Sequence, residues 1–445
     1  MPKRLLLATL ALVLLLAACG TPPEEIRPTP ISAGGGEGGG AADEGGGVGG
    51  PVVLRLWLPQ NDAQAAAYTA LVAAYTAANP DVTIQLEAFD PANYRQTIDN
   101  ALSAGGAADI IQLPDAWLCG YANGGALAEA PASIPTAADA AAAFYPAALG
   151  GFVCGDRLYG LPLALDLPYG VALVNRTTAE SAGLANVAAG WASWDELIAA
   201  ARGLSVVQDG GMGRAGLHVA SADALPAMFY SLILQNGGQY LSGGAFTVNT
   251  PQGLAALGQM KRLVDEGALD ATRFNDAADP VAASFFDGRS AMAVLSPAAA
   301  TATSAARPDV AAIAVALPAA GAQPAVVGAG LGLAVSRTSA AQEVAWDFVR
   351  FAALDPANAA AWSQAAGALP ALRAAGEGAA AEQLVARHPL LGAWLPLLPV
   401  AQHAGAFADR DRAWRDVTYP RLLAFLQGAA TAEATLAAIQ SEITP

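Results

Sequence analysis

The side chains able to do chemistry are sparse, and most sit in polar interruptions of an apolar chain. Three of these stand out: Gln60, Asn61 and Asp62 in PQND; Asp115 and Trp117 in PDAW; and Asp166 and Tyr169 in LYGLPLALDLPYGVALVN, residues 158–175. In the last, residues 161–165 and 170–174 read as two short buried strands. Pro162 and Pro168 cannot donate a ladder hydrogen bond, so each marks an edge, an end or a crossing. A carboxylate inside such a run must be paired or hydrogen-bonded. Asp166 therefore either meets a structural partner or faces a wet cleft in which a ligand is the partner. The alternative is an ordinary core strand that ends in an Asp-Leu-Pro turn. Asp, Asn and Gln suit hydroxyl groups, while Trp and Tyr offer faces to the apolar side of a ring. Asp115 and Asp166 could in principle also act as a glycosidase pair.

No catalytic constellation accompanies them. His218, His388 and His403 lie far apart, and none belongs to an HExxH or a His/Cys cluster, so neither a metal nor a cofactor is expected. There is no nucleophile elbow, and Gly328-Ala329-Gly330 lacks the Lys-Ser/Thr of a phosphate loop. A binding protein is expected rather than an enzyme. The 445 residues include 22 Lys+Arg against 38 Asp+Glu, and the net charge of −16 disfavours nucleic acid. No arginine cluster that would suit an anionic ligand is evident. Hydrophobic residues make up 54% but aromatic ones only 7%, because Ala is abundant, so the hydrophobicity does not imply membrane spans.

Residues 1–18 read as a signal peptide: Lys3 and Arg4, an apolar run too short to span a bilayer, then small residues. Leu16-Ala17-Ala18-Cys19 resembles a bacterial lipobox. That resemblance implies diacylglycerol on Cys19, cleavage before it, and anchoring of the mature chain to the cell membrane. Residues 19–50 are rich in Pro, then Gly, with almost nothing to bury, and are expected to form a disordered tether. Cys119 and Cys154 then remain as an even pair outside the cytoplasm, a disulfide candidate. Bonded, they close a loop of about 35 residues, worth about 3–4 kcal/mol on chain-entropy grounds. Two unpaired buried thiols are the alternative.

From residue 51 the pattern is α/β. Strands are expected at 52–58, 82–88 and 109–113, with helices at 62–79 and 91–102 between them, which gives right-handed crossovers and a mostly parallel sheet. Ligands bind beyond the carboxyl ends of such strands, where Gln60, Asn61, Asp62, Asp115 and Trp117 sit. Ser193 and Thr250 read as helix N-caps, and Asn236 ends a helix begun at 224. Residues 326–335 form a Gly-laced strand, and residues 399–443 a helical tail.

The run of phrases NPDVTIQL, ALSAGGAADIIQLPDAWLCGYANGGALAEA, YGLPLALDLPYGVALVN, FFDGRSAMAVLSP and VGAGLGLAVSRTSAAQEVAWDFVRFAAL resembles the family 1 extracellular solute-binding proteins, in order and spacing. The resemblance covers the chain beyond the tether. It implies a periplasmic-binding-protein-like (type II) α/β fold, with two lobes joined by hinge crossovers around a ligand cleft. Residues 51–164 plus 296–355 would form lobe 1, and residues 165–295 plus 356–445 lobe 2. Crossings are expected near 162–168, near 293–297, and after the helix at 340–353. The implied partners are a small polar solute, a carbohydrate first, and the permease of an ABC importer; a monomer is expected. Candidate ligand contacts are Gln60, Asn61, Asp62, Asp115, Trp117, Asp166, Tyr169 and Asn236, backbone at Gly328 and Gly330, and Trp362 and Trp414, both with core packing as the alternative. In such sugar binders an aromatic residue often follows the Pro of the second crossing. Here Ala298 follows Pro297, which suggests a smaller or less sugar-like pocket. A polyamine, an amino-acid derivative or a glycerol phosphate remains open as the solute.

Overall fold

The computed structural model describes residues 50–184 and 186–443, together with the backbone of residues 29–30. The expected signal peptide, Cys19 and the rest of the tether lie outside the described residues. Strand β1 (Val52–Pro59), helix α1 (Asp62–Ala78), strand β2 (Val82–Phe89), helix α2 (Tyr94–Ala104) and strand β3 (Ile110–Pro114) follow in order, and β1 runs parallel to both β2 and β3. Alternating apolar residues bury Leu54, Leu56 and Leu58 of β1, while Ala67, Tyr68, Leu71 and Tyr75 form the buried face of α1.

Helices α3 (Asp115–Asn123) and α4 (Pro146–Leu149) lead to β4 (Leu161–Asp166). The chain crosses at residues 167–170 and opens a second sheet with β5 (Val171–Asn175). That region continues through α5 (Trp194–Leu204), β6 (Gly211–His218), α6 (Ala224–Gln235), α7 (Pro251–Asp265), β7 (Ser290–Ala293), α8 (Pro297–Ala306) and β8 (Ala312–Ala316). The chain returns through β9 (Val326–Val335), α9 (Gln342–Ala353), α10 (Pro356–Ala366), β10 (Leu369–Pro370) and β11 (Ala401–His403), then ends in a π-helical turn, Arg412–Thr418, and helices α11 (Tyr419–Leu426) and α12 (Ala432–Glu442). The first sheet has the order β2-β1-β3-β9-β4-β10, with β11 on β9 and Thr29–Pro30 on β2; the second has β8-β5-β7-β6, with Val206–Gln208 on its edge.

The first sheet is mixed rather than mostly parallel. Strand β9 is antiparallel to both β3 and β4, because it arrives from the other lobe and not through a helical crossover. The lobe boundaries also differ from those expected. Ala312–Ala316 pairs with β5 in the second sheet, so the second crossing lies at residues 317–325 rather than near 293–297. Ser296 and Pro297 begin α8 instead: the Ser296 hydroxyl accepts from the Ala299 N–H, and Pro297 takes the first helical position. Residues 356–403 stay with the first sheet, since α10 packs on α1 and both β10 and β11 join that sheet. Only the tail beyond β11 crosses to the second lobe, where α12 packs against α7 and the π-turn and α11 against α6.

Cys119 in α3 and Cys154 are bonded, tying α3 to the hairpin Val153–Cys154 and Arg157–Leu158 that precedes β4. Replacing both by Ser should cost about 3–4 kcal/mol in chemical denaturation, the loop-closure value for this 35-residue separation. An unchanged midpoint would show that the bond does not constrain the unfolded chain.

Candidate functional site

A cavity of about 320 Å³ lies at the junction of the two lobes. The ends of β4 and β9 supply one wall, with Asp166, Gly328, Ala329 and Gly330, and the tail beyond β11 supplies another, with Arg410, Asp411, Trp414 and Arg415. Gln64 of α1, Asp223 before α6, and Pro297 and Ala298 of α8 complete it. A cavity with apolar walls and a few convergent polar groups is the usual form of a ligand site.

Beneath the cavity sits Asp115, whose side chain is 0% exposed. One of its oxygens, Oδ2, accepts the Gly330 N–H at 2.8 Å and His403 Nε2–H at 3.0 Å, and Oδ1 accepts from Arg410 Nη2. His403 Nδ1 accepts the Gly405 N–H at 3.3 Å, which leaves Nε2 as the donor to Asp115. Burial alone would raise the Asp115 carboxyl. Arg410 and His403 outweigh it and hold the group well below the ordinary carboxylate range. Gly151 makes room for this arrangement, since a Cβ there would meet the Asp115 Cβ at 2.5 Å.

Arg410 is thus held through one nitrogen, while its other terminal nitrogen, Nη1, is buried and has no protein partner. The Trp414 indole N–H is also buried and without a protein partner. The Trp414 ring is oriented by Tyr230, 5.5 Å away between centroids, and by the π-turn that carries it. An unsatisfied buried donor is costly, and both of these belong to residues that line the cavity. On the opposite wall, burial first and then the charge of Asp223 push the Asp166 carboxyl up to about 7. The arrangement can bind hydroxyls and charges; it provides no nucleophile–base pair.

Among the residues singled out from sequence, Asp166, Gly328, Gly330 and Trp414 line the cavity. Gly330 is no free donor, because its N–H is taken by Asp115. Its lack of a side chain serves packing, as a Cβ would meet the Ala148 carbonyl at 2.3 Å. The remaining candidates do not line the cavity. Asn61 caps α1 by accepting the Gln64 N–H at 3.1 Å, Gln60 and Asp62 are exposed beside it, and this turn aims Gln64 inward instead. Trp117 donates to Asp411 at 2.6 Å at the rim, where the Arg95 guanidinium stands over its ring. Tyr169 is 1% exposed and packs in the core. Asn236 closes α6, donating to the Leu232 carbonyl and to Gln259. Trp362 is buried edge-on against Tyr68. The expected lack of an arginine cluster is also corrected. Arg410 and Arg415 both face the cavity, but Asp115 and Asp223 neutralise them. A local signal existed, since ADRDRAWRD is charge-dense in a chain with only 13% charged residues.

The two carboxylates have opposite linkage. The Asp115 carboxyl, held low, stabilises the fold above the ordinary carboxylate value, and that contribution is lost as pH falls through its folded-state value. Asp166, raised from 3.8 to about 7, binds its proton better folded than unfolded, so stability declines as pH rises through that window. Asp166→Asn should therefore raise the melting temperature of the ligand-free protein at pH 8, and raise it clearly less at pH 5, where only part of the penalty has developed. Asp115→Asn should cost about 3–5 kcal/mol at pH 8, because Arg410 is left without a counter-charge. Calorimetry at the two pH values checks both, and a pH-independent effect of Asp166→Asn would contradict the assignment.

The family described as bacterial extracellular solute-binding protein matches residues 70–391. A comparison with curated proteins finds no significant match. Among solved structures, the chain is similar to a cyclic alpha-maltosyl-1,6-maltose binding protein from Arthrobacter globiformis, with a TM-score of 0.74, 23% identity, and 88% of this chain and 98% of that one covered. It is also similar to the sugar-binding protein MalE of Xanthomonas citri, with a TM-score of 0.73, 17% identity and coverage of 88% and 96%. UgpB of Mycobacterium tuberculosis, in complex with glycerophosphocholine, has a TM-score of 0.70, 22% identity and coverage of 89% and 98%. These likenesses establish the fold as the type II, two-lobed binding-protein fold, and the family is one of binding proteins rather than enzymes. With the family match spanning well over half its length, the chain belongs to the bacterial extracellular solute-binding proteins.

Proposed function

We propose that this protein captures a small polar solute, a carbohydrate first, in the interlobe cavity and hands it to an ABC importer. The observation that carries this reading is the pairing of unpartnered donors, Arg410 Nη1 and the Trp414 indole N–H, with the Asp166 carboxylate across one cavity. Sugar hydroxyls and ring oxygens satisfy such donors and acceptors together. Neighbours named as maltose-type and MalE sugar binders support the same solute class. A glycosidase reading is disfavoured, because Asp115 is sealed under three donors with no surface left for a substrate. A glycerol phosphate is disfavoured too, since both cavity arginines already carry carboxylate partners.

Closure is a population shift that the ligand drives by touching both lobes. Wild-type protein titrated with a panel of mono- and oligosaccharides should show saturable binding, and Trp414→Ala and Arg410→Lys should each weaken it at least tenfold. Unchanged affinity in both variants would remove this cavity as the site.

The anchoring reading belongs to the same proposal. Cys19 carries the lipid after removal of residues 1–18, residues 19–50 act as a tether, and a monomeric receptor works outside the cytoplasmic membrane. In cells, Cys19→Ala should move the protein from the membrane fraction to the soluble extracytoplasmic fraction; retention at the membrane would overturn the lipid anchor.

A further inference from the structure

We infer that the solute carries a protonated amine, as an aminosugar does, and that its ammonium group sits against Asp166; this rests on the carbohydrate reading above. The charges around the cavity decide it. Arg410 is spent on Asp115 and Arg415 on Asp223, while Asp411 accepts the Trp117 indole and lies 3.5 Å from Arg95. Among the described residues, Asp166 alone of the cavity carboxylates has no side-chain partner and no cation within ion-pair distance; only the Leu167 backbone N–H supports its ionised form, and Ala164, Leu165, Pro168 and Leu331 line the cavity beside it. A carboxylate in such surroundings calls for a counter-charge, and the protein withholds one.

A ligand ammonium group supplies it. The other end of the ligand is defined separately by Arg410 Nη1 and the Trp414 indole N–H, which need oxygen acceptors. The occupant is thus polar at both ends, cationic at one and rich in hydroxyl or ether oxygen at the other. Ala298, which lines the cavity where a stacking aromatic could stand, leaves recognition to these polar contacts.

The proton balance follows. Burial first, then the charge of Asp223 and more weakly that of Asp115, oppose the ionised form of Asp166, while the Leu167 backbone N–H and Arg410 favour it. An arriving ammonium group reverses this, so near pH 7 the Asp166 carboxyl releases its proton to solvent as the salt link forms.

Isothermal titration calorimetry of the mature protein at pH 7, in two buffers of different ionisation enthalpy, tests the inference. The probes are glucosamine, the glucosamine disaccharide and spermidine, with glucose, cellobiose and diacetylchitobiose as neutral counterparts. The amine-bearing sugars should bind at least tenfold more tightly than their neutral counterparts, with Asp166 giving up roughly half a proton per ligand for a group titrating near 7, less the protons the amine itself takes up to bind as ammonium. Asp166→Asn should remove both the preference and the proton release without lowering the melting temperature. Neutral sugars that bind as tightly as the amines overturn the inference and leave the carbohydrate reading standing. Spermidine binding that depends on Asp166, with no sugar bound, keeps the ammonium group and overturns the carbohydrate reading. No binding by any amine probe overturns the inference.

Discussion

The buried Asp115 carboxylate is the contact on which the two-lobed arrangement depends. It stands at the first turn of α3 and takes hydrogen bonds from Gly330 in β9, His403 at the end of β11 and Arg410 in the tail. Those partners lie 215, 288 and 295 residues away in sequence. A buried charge is tolerable only when its donors are fixed, and here fixing the donors also fixes the place where the lobes meet. Arg410 is the functional consequence. One side of its guanidinium is tied down, so this cavity-lining residue has little freedom left to lose on binding.

Around this contact the lobes are joined by three thin passages: residues 167–170, residues 317–325, and the segment between His403 and Arg412. Such connections leave room for hinge motion. At the rim, Trp117 and Arg95 of the first lobe reach Asp411 of the tail, a polar contact across the opening. A solute that bridges Asp166 on one wall and Trp414 on the other adds free energy that only the closed form collects. Asp166 illustrates the usual cost of a binding site, since a carboxylate placed where burial opposes its charge lowers the stability of the empty protein.

Much of this was legible in the chain. Residues 326–335 formed the expected strand; Ser193 and Thr250 capped their helices by accepting from the Glu196 and Gly253 N–H groups; Cys119 and Cys154 are bonded. These features depend on local periodicity, cap chemistry and cysteine parity. Asp166 stood out as a carboxylate in an apolar run, and it does face the cavity. Less legible was whatever rests on distant pairing. Nothing near Arg410 in sequence reveals that Asp115 will hold it, and nothing near Asn61 reveals whether its side chain binds solute or caps a helix. Ser296-Pro297 after an apolar strand fits a lobe crossing and a helix start equally well in one dimension. Tyr169, directly after Pro168, fell into the core because the crossing is so short that the chain enters the second sheet at Val171.

The most direct test is a crystal structure of the mature protein with a saccharide bound. The account predicts ligand density between the lobes, with oxygen atoms on Arg410 Nη1 and the Trp414 indole nitrogen and a ligand group on the Asp166 carboxylate. A saccharide seated elsewhere, with no contact to Arg410, Trp414 or Asp166, would contradict the account.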